Sequence, residues 1–166
     1  MSLVVCSYLP GEGHFRSRVA PTVPIVCAGE FDYWYGLNAV WGTGRTLVNV
    51  EHDIAATDDH VRALLGCPHP LCSWAYECHW ASTGQPRSLI AAGALERDPV
   101  SHQARDYLRG GETWAAWSSI GLVKVTRAAR TGSLRRESWQ RVELAVADAV
   151  RGPWHMHWPL VAHHHW

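Results

Sequence analysis

Glu51, His52 and Asp53 stand in a row directly after "LVNV", a run that reads as a buried strand. All three side chains can bind metal. An acidic pair beside a core is costly unless positive charge comes to meet it, and a divalent cation carrying a diphosphate is the usual partner. Oxygen donors suit Mg2+ or Mn2+, and an added imidazole moves the preference toward Mn2+. The plainer reading of the same residues is that Asp53 caps a turn while Glu51 faces water.

A second set of candidate ligands closes the sequence, in "HMHWPLVAHHHW". His155 and His157 alternate on a strand-like piece, so both fall on one face, and His163 and His165 repeat the pattern eight residues later. Each pair can converge on one point, the alternative being a metal-free aromatic tail of satisfied histidines. A terminal His run also suggests a purification tag, but three histidines followed by Trp166 and preceded by "HMHWPLVA" make a poor one. The segment is read as native. A third set, Cys67, Cys72, Cys78 and His79, has spacings that depart from the usual structural-zinc patterns. The five cysteines include no CxxC pair, so a disulfide framework is not expected and most thiols are read as small buried hydrophobes in a reducing compartment.

The elements that must position these groups follow from hydrophobic spacing. "SLVVCSY", "TVPIVCAG" and "RTLVNV" are short valine-rich runs expected to be strands, the first two buried on both faces. Tyr33, Leu37, Val40 and Trp41 recur at helical intervals until Gly42 and Gly44 stop them. Thr57 is placed to cap a second helix with Asp58 and Asp59 in its first turn and Val61, Leu64 and Leu65 on its apolar side, ending at Gly66. A strand is expected around Cys72 to Tyr76 and another from Gly121 to Thr126. "SLRRESWQRVELAVADAVRG" reads as the strongest helix, capped by Ser133, with Leu134, Trp139, Val142, Val146 and Val150 on its apolar side. Alternation of strand and helix argues for an α/β protein with a mostly parallel sheet flanked by helices. In such a sheet the loops at the carboxyl ends of the strands line the ligand crevice, which is where Glu51 to Asp53 would lie.

With 166 residues, 47% of them hydrophobic and 18% charged, the chain suits one globular domain spanning residues 1–166. No apolar stretch approaches the roughly 20 residues needed to span a bilayer, and the first residues fail as a signal peptide, so a cytoplasmic protein with no membrane partner is expected. Fifteen basic residues balance fifteen acidic ones, which argues against tight nucleic-acid binding by the whole molecule. The basic stretch from Lys124 to Arg141 is the local exception; it could meet phosphates or simply form a solvated helix face.

The order "FDYWYGLNAVW", "LVNVEHDI", "CPHPLCSWAY", "GLVKVT", a Trp-bearing helix and "HMHWPLVAHHHW" resembles the short GT-A glycosyltransferases of actinobacteria and their phages. The resemblance covers roughly residues 32 to 166. It departs at Val125, where the pattern has an aromatic residue, and between Trp80 and Trp114, which matches none of it. It implies a GT-A-like fold and transfer of a sugar from a nucleoside diphosphate sugar, a UDP-sugar by preference, in the host cytoplasm if phage-encoded. It also implies that Asp53 ligates Mn2+ or Mg2+ directly, that Glu51 stands near the ribose or the metal's waters, and that His163 or His165 completes the coordination. His155 and His157 would support that shell or touch phosphate, Asp32 would meet the donor's base or ribose unless it caps a helix, and Lys124 would reach a phosphate.

Glu112, in "RGGETW", is the candidate carboxylate for taking the acceptor's proton. Hydroxymethylated pyrimidines in DNA, a small molecule and a protein hydroxyl are the acceptors in view, with a monomer or homodimer as the assembly. Two other classes compete with the transferase. A histidine-rich metallohydrolase is suggested by "HMH", although Pro159 stands where such motifs carry aspartate. A metal-binding interaction module without chemistry would use the tail alone.

Overall fold

A computed structural model describes residues 2–11, 17–79, 88–90, 92–93, 106–138 and 141–161, without the side chains of 78, 79 and 88–90. The valine-rich β1 (Leu3–Tyr8) lies between β2 (Val23–Val26) and β3 (Leu47–Glu51) and is parallel to both. Beyond β3 come the antiparallel β9 (Leu122–Val125), then β4 (Leu71–His79), then β10 (Trp154–Val161) parallel to β4, and last the short β7 (Trp114–Ala115). β5 (Ser88–Ile90) pairs with β4 off this path, and β6 (Ala92–Gly93) pairs with β8 (Trp117–Ser118) in a separate ribbon.

The protein is therefore α/β, with a mixed sheet in which β1, β2, β3, β4 and β10 share one direction and β9 runs against them. Strand β2, expected to be buried on both faces, is an edge strand in which only Ile25 is buried. Having a single strand neighbour and one covered face, it needs only that one inward anchor.

Helix α1 (Asp32–Trp41) buries Tyr33, Leu37, Val40 and Trp41, the stripe its spacing predicts. It lies close on β2 because residue 36 is glycine: a Cβ there would stand 2.7 Å from the Ile25 side chain. Helix α2 (Asp58–Gly66) starts at Thr57, whose N–H donates to His60 Nδ1 at 2.9 Å. Val61 and Leu64 pack with Val48, Val50 and Leu122 on the other side of the sheet. Leu65, expected on that stripe, is 36% exposed, because one residue beyond Leu64 is about 100° around a helix of 3.6 residues per turn.

The long helix expected from Ser133 is confined to α3 (Val142–Asp148), where Val142, Ala145 and Val146 join the core on the α1 side. Residues 133–138 instead run without helix across α1. The Trp41 indole donates to Gly132 O at 2.8 Å, and the Arg136 guanidinium lies 4.3 Å over the Phe31 ring. Those anchors and buried Leu134 outweigh the local helical preference. Val150 is half-buried, and Trp139 lies outside the described residues. No helix among the described residues is long and apolar enough to cross a membrane.

Candidate functional site

Strand order β2-β1-β3 makes the boundary between β1 and β3 a topological switch point, where consecutive crossovers leave on opposite sides and a crevice opens at the carboxyl ends. A cleft of about 610 Å3 is found there, lined from β1 by Ser7 and Tyr8, from β3 by Glu51, His52 and Asp53, and from α3 by Glu143. The acidic cluster stands at the carboxyl edge of the sheet and lines this cavity.

Glu51 is held from below by α1. The buried Tyr33 hydroxyl donates to Glu51 Oε1 at 3.0 Å and accepts from Asn49 Nδ2 at 2.8 Å, while the same amide nitrogen donates to Ile120 O at 2.6 Å. Burial, reinforced by the charges of Asp53 and Glu143, pushes the Glu51 carboxyl up to about 8, with the Tyr33 hydrogen bond opposing the rise. Glu143 is positioned by Ser119, whose hydroxyl donates to Glu143 Oε2 at 2.7 Å. Gly121 leaves room for this arrangement, since a Cβ there would come 2.7 Å from the Tyr76 hydroxyl and 3.1 Å from Glu51 Oε2. The cleft thus gathers carboxylates from separate elements, with Glu30 beside β2 as a further one. The sequence singles out neither Glu30 nor Glu143: Glu30 sits in a loop two residues before Asp32 and Glu143 within a helical stretch, and neither spacing marks a ligand set.

The remaining expected site residues lie elsewhere. Asp32 is occupied at the start of α1, its Oδ2 accepting the N–H groups of Gly29 at 2.6 Å and Ala28 at 3.0 Å. It shapes the loop that lines the cleft and does not itself line it. Glu112 is half-buried, and its carboxylate accepts the N–H groups of Arg109 at 3.1 Å and Gly110 at 2.7 Å. These bonds hold its pKa down, the Arg109 N–H most, so it is both a weak base and misplaced. It precedes β7, which is four strands from β3 in the sheet order, roughly 19 Å at 4.8 Å per strand.

Lys124, expected near phosphate, is buried at 2% exposure in the middle of β9. It pairs in register with Val48 and with Cys72, so all three share one face of the sheet. Its Nζ donates to Cys67 O at 2.5 Å. Glu51, three residues after Val48 and bonded to α1, projects from the opposite face.

His155 and His157 share a face, as their alternation predicts, but it is the face of Lys124: His155 is in register with Cys72 and His157 with Trp74. They stand three strands from β3 and do not reach the cleft, which corrects their expected place beside Glu51 and Asp53. They meet Cys67 and Cys72 instead. The donor atoms of Cys67, Cys72, His155 and His157 all lie within 4.8 Å of one another, among the described residues the one such convergence of three or more potential ligands. Cys78 and His79, the other members of the cysteine set read from sequence, contribute no described side chain. His163 and His165 lie outside the described residues. No described carboxylate joins the two imidazoles, so the donor set lacks the aspartate a metallohydrolase of that motif would use.

Burial, then the neighbouring His155 and Lys124 charges, brings His157 down to about 4, and burial lowers His155 as well, leaving both rings neutral near pH 7. The indole of Trp74 stacks on His157 with ring centres 5.3 Å apart and donates to Pro159 O at 2.7 Å. The molecule therefore presents two candidate sites, an acidic cleft over β1 and β3 and a Cys/His cluster at the start of β4 and β10. No family model, no curated protein and no solved structure matches the chain.

Proposed function

We propose that the chain is a cation-dependent glycosyltransferase that uses a nucleoside diphosphate sugar. The observation that carries this reading is the pairing of Glu51 with Asp53 at the carboxyl end of β3, over a cleft of about 610 Å3 at the switch point of the sheet. Two carboxylates whose mutual repulsion raises the Glu51 pKa are poorly placed for an anionic ligand alone and well placed for a divalent ion that brings one. The oxygen donors suit Mn2+ or Mg2+, with His52 adjacent in the chain. The cleft volume falls within the range of pockets for nucleotide-sized ligands. The sequence resemblance to short GT-A glycosyltransferases supports the same assignment.

In this reading Asp53 holds the cation and Glu51, tethered by Tyr33, orients the metal's waters or the ribose. A bound cation would supply charge neutralisation on the departing nucleoside diphosphate. Glu143 replaces Glu112 as the carboxylate suited to receive the acceptor's proton, since it lines the same cleft. A hydroxyl of hydroxymethylated DNA, of a small molecule or of a protein are the acceptors in view.

Incubation with Mn2+ and a panel of nucleotide sugars tests the reading. A donor-dependent rise in Tm is expected, with release of free nucleoside diphosphate that the Asp53→Ala variant lacks while remaining folded. Absence of both responses with every common donor would overturn it.

A further inference from the structure

The geometry points to a structural zinc site formed by Cys67, Cys72, His155 and His157, which clamps the C-terminal strand β10 onto the end of α2 and the start of β4. It lies on the sheet face opposite Glu51, and does not depend on the glycosyltransferase reading.

The four ligands come from three elements. Cys67 is the residue that ends α2, and Cys72 is the second residue of β4, with Pro68 and Pro70 between them enforcing a tight, non-helical connection. The turn brings Cys72 Sγ to 2.8 Å from Cys67 Sγ, and Cys67 Sγ lies 3.4 Å from His155 Nδ1. His157 follows two residues later on the same side of β10, and its Nε2 is buried with no hydrogen-bond partner among the described residues. A buried polar atom left without a partner is uncommon in native proteins and asks for a missing group.

A tetrahedral Zn2+ with bonds of about 2.3 Å to sulfur and about 2.0–2.1 Å to nitrogen separates its donors by roughly 3.3–3.8 Å. The four donor atoms, all within 4.8 Å of one another, already have that scale, and binding requires chiefly that the two sulfurs part by about 1 Å. Two soft sulfurs with two imidazoles select Zn2+ over the hard cations favoured by carboxylates. Binding releases the two thiol protons to water, and two thiolates then balance the dipositive ion. All four positions are filled by protein, which marks a closed structural site and not a catalytic one.

The surroundings suit a resident ion. Lys124 Nζ donates to Cys67 O and so fixes the backbone of the turn that carries the first ligand. The His69 ring stands 4.4 Å from that of His155, and Trp74 stacks on His157, fixing both imidazoles. The consequence is mechanical: β10 supplies Trp154 and Met156 to the core, and the ion ties that strand to residues more than eighty positions earlier.

The test uses the full chain, stripped with a chelator under reducing conditions and reloaded with Zn2+ or Co2+. About one equivalent of zinc should survive gel filtration, Tm should rise on reloading, and the Co2+ form should show tetrahedral d–d bands with thiolate-to-metal charge transfer. The half-buried Cys67 should resist iodoacetamide when zinc is bound and react when it is stripped, whereas Cys72 is buried in either state. Cys72→Ser and His157→Ala should lose the ion, whereas a Glu51→Gln, Asp53→Asn double variant should keep it, separating this site from the cleft. If the cysteine variant fails to fold, the cobalt spectrum and alkylation pattern of the unaltered chain decide the matter. Retention of zinc by the variants, a cobalt spectrum without sulfur charge transfer, or a Cys67–Cys72 disulfide with no metal uptake in the unaltered chain would overturn the proposal.

Discussion

Tyr33 donates its buried hydroxyl hydrogen to Glu51 Oε1 at 3.0 Å, tying the first turn of α1 to the end of β3. The same oxygen accepts from Asn49, so one phenol joins the helix to two residues of the strand. Replacing Tyr33 with Phe should cost about 1–3 kcal/mol in urea unfolding, since it leaves buried polar groups without their partner. The Glu51 pKa should also rise further, as the bond that stabilises its charged form is lost. An unchanged Glu51 titration, followed by carboxyl carbon resonances, would show that the hydroxyl does not govern this group.

The raised pKa of Glu51 makes stability pH-dependent. Its carboxyl binds a proton more tightly folded than unfolded, so the stabilisation is fully present below the ordinary value of 4.5 and is lost as pH rises through about 8. Metal-free protein should therefore lose stability across that window, and Glu51→Gln should flatten the slope. A wild-type curve as flat as that of the variant would refute the assignment.

Asp53 contributes to that rise by charge repulsion. Asp53→Asn should lower the Glu51 pKa and stabilise the metal-free protein at pH 8. Under the proposed function it should also abolish any rise in Tm on adding Mn2+ with a nucleotide sugar. Loss of stability at pH 8 would indicate that Asp53 acts mainly as a structural hydrogen-bond acceptor.

Arg130 closes the other end of α1. Its Nη1 donates to Trp41 O at 2.7 Å and its Nη2 to Arg45 O at 2.5 Å, with the guanidinium 4.5 Å over the Trp41 ring. Cation and helix C-terminus attract, and the planar fork serves two carbonyls at once. Arg130→Ala should lower stability by about 2–4 kcal/mol, and Arg130→Lys should recover only part of the loss. Equal stability of the Lys variant and wild type would show that charge alone suffices.

Gly121 marks the tightest approach near the cleft. An added methyl group would overlap Tyr76 and press on Glu51 Oε2, so Gly121→Ala should destabilise by about 1–3 kcal/mol and perturb Glu51. Thermal unfolding with the Glu51 titration checks both effects.

Local sequence settled the elements whose signals are short-range. The stripe Tyr33, Leu37, Val40 and Trp41 defined α1, the capping residues around Thr57 defined the start of α2, and alternation placed His155 and His157 on one face of β10. It also put Glu51 and Asp53 at the rim of a cleft, because a strand that ends in acids must end where charge can be met. Only the tertiary structure decided which groups share a site. Strand order and register set β10 three strands from β3, on the opposite face from Glu51, and neither quantity is encoded within a strand's own residues. The same order joined His155 and His157 to Cys67 and Cys72 and buried Lys124 beneath them. The segment 133–138 followed the same logic, its helical preference yielding to Trp41 and Phe31, partners far away in the chain.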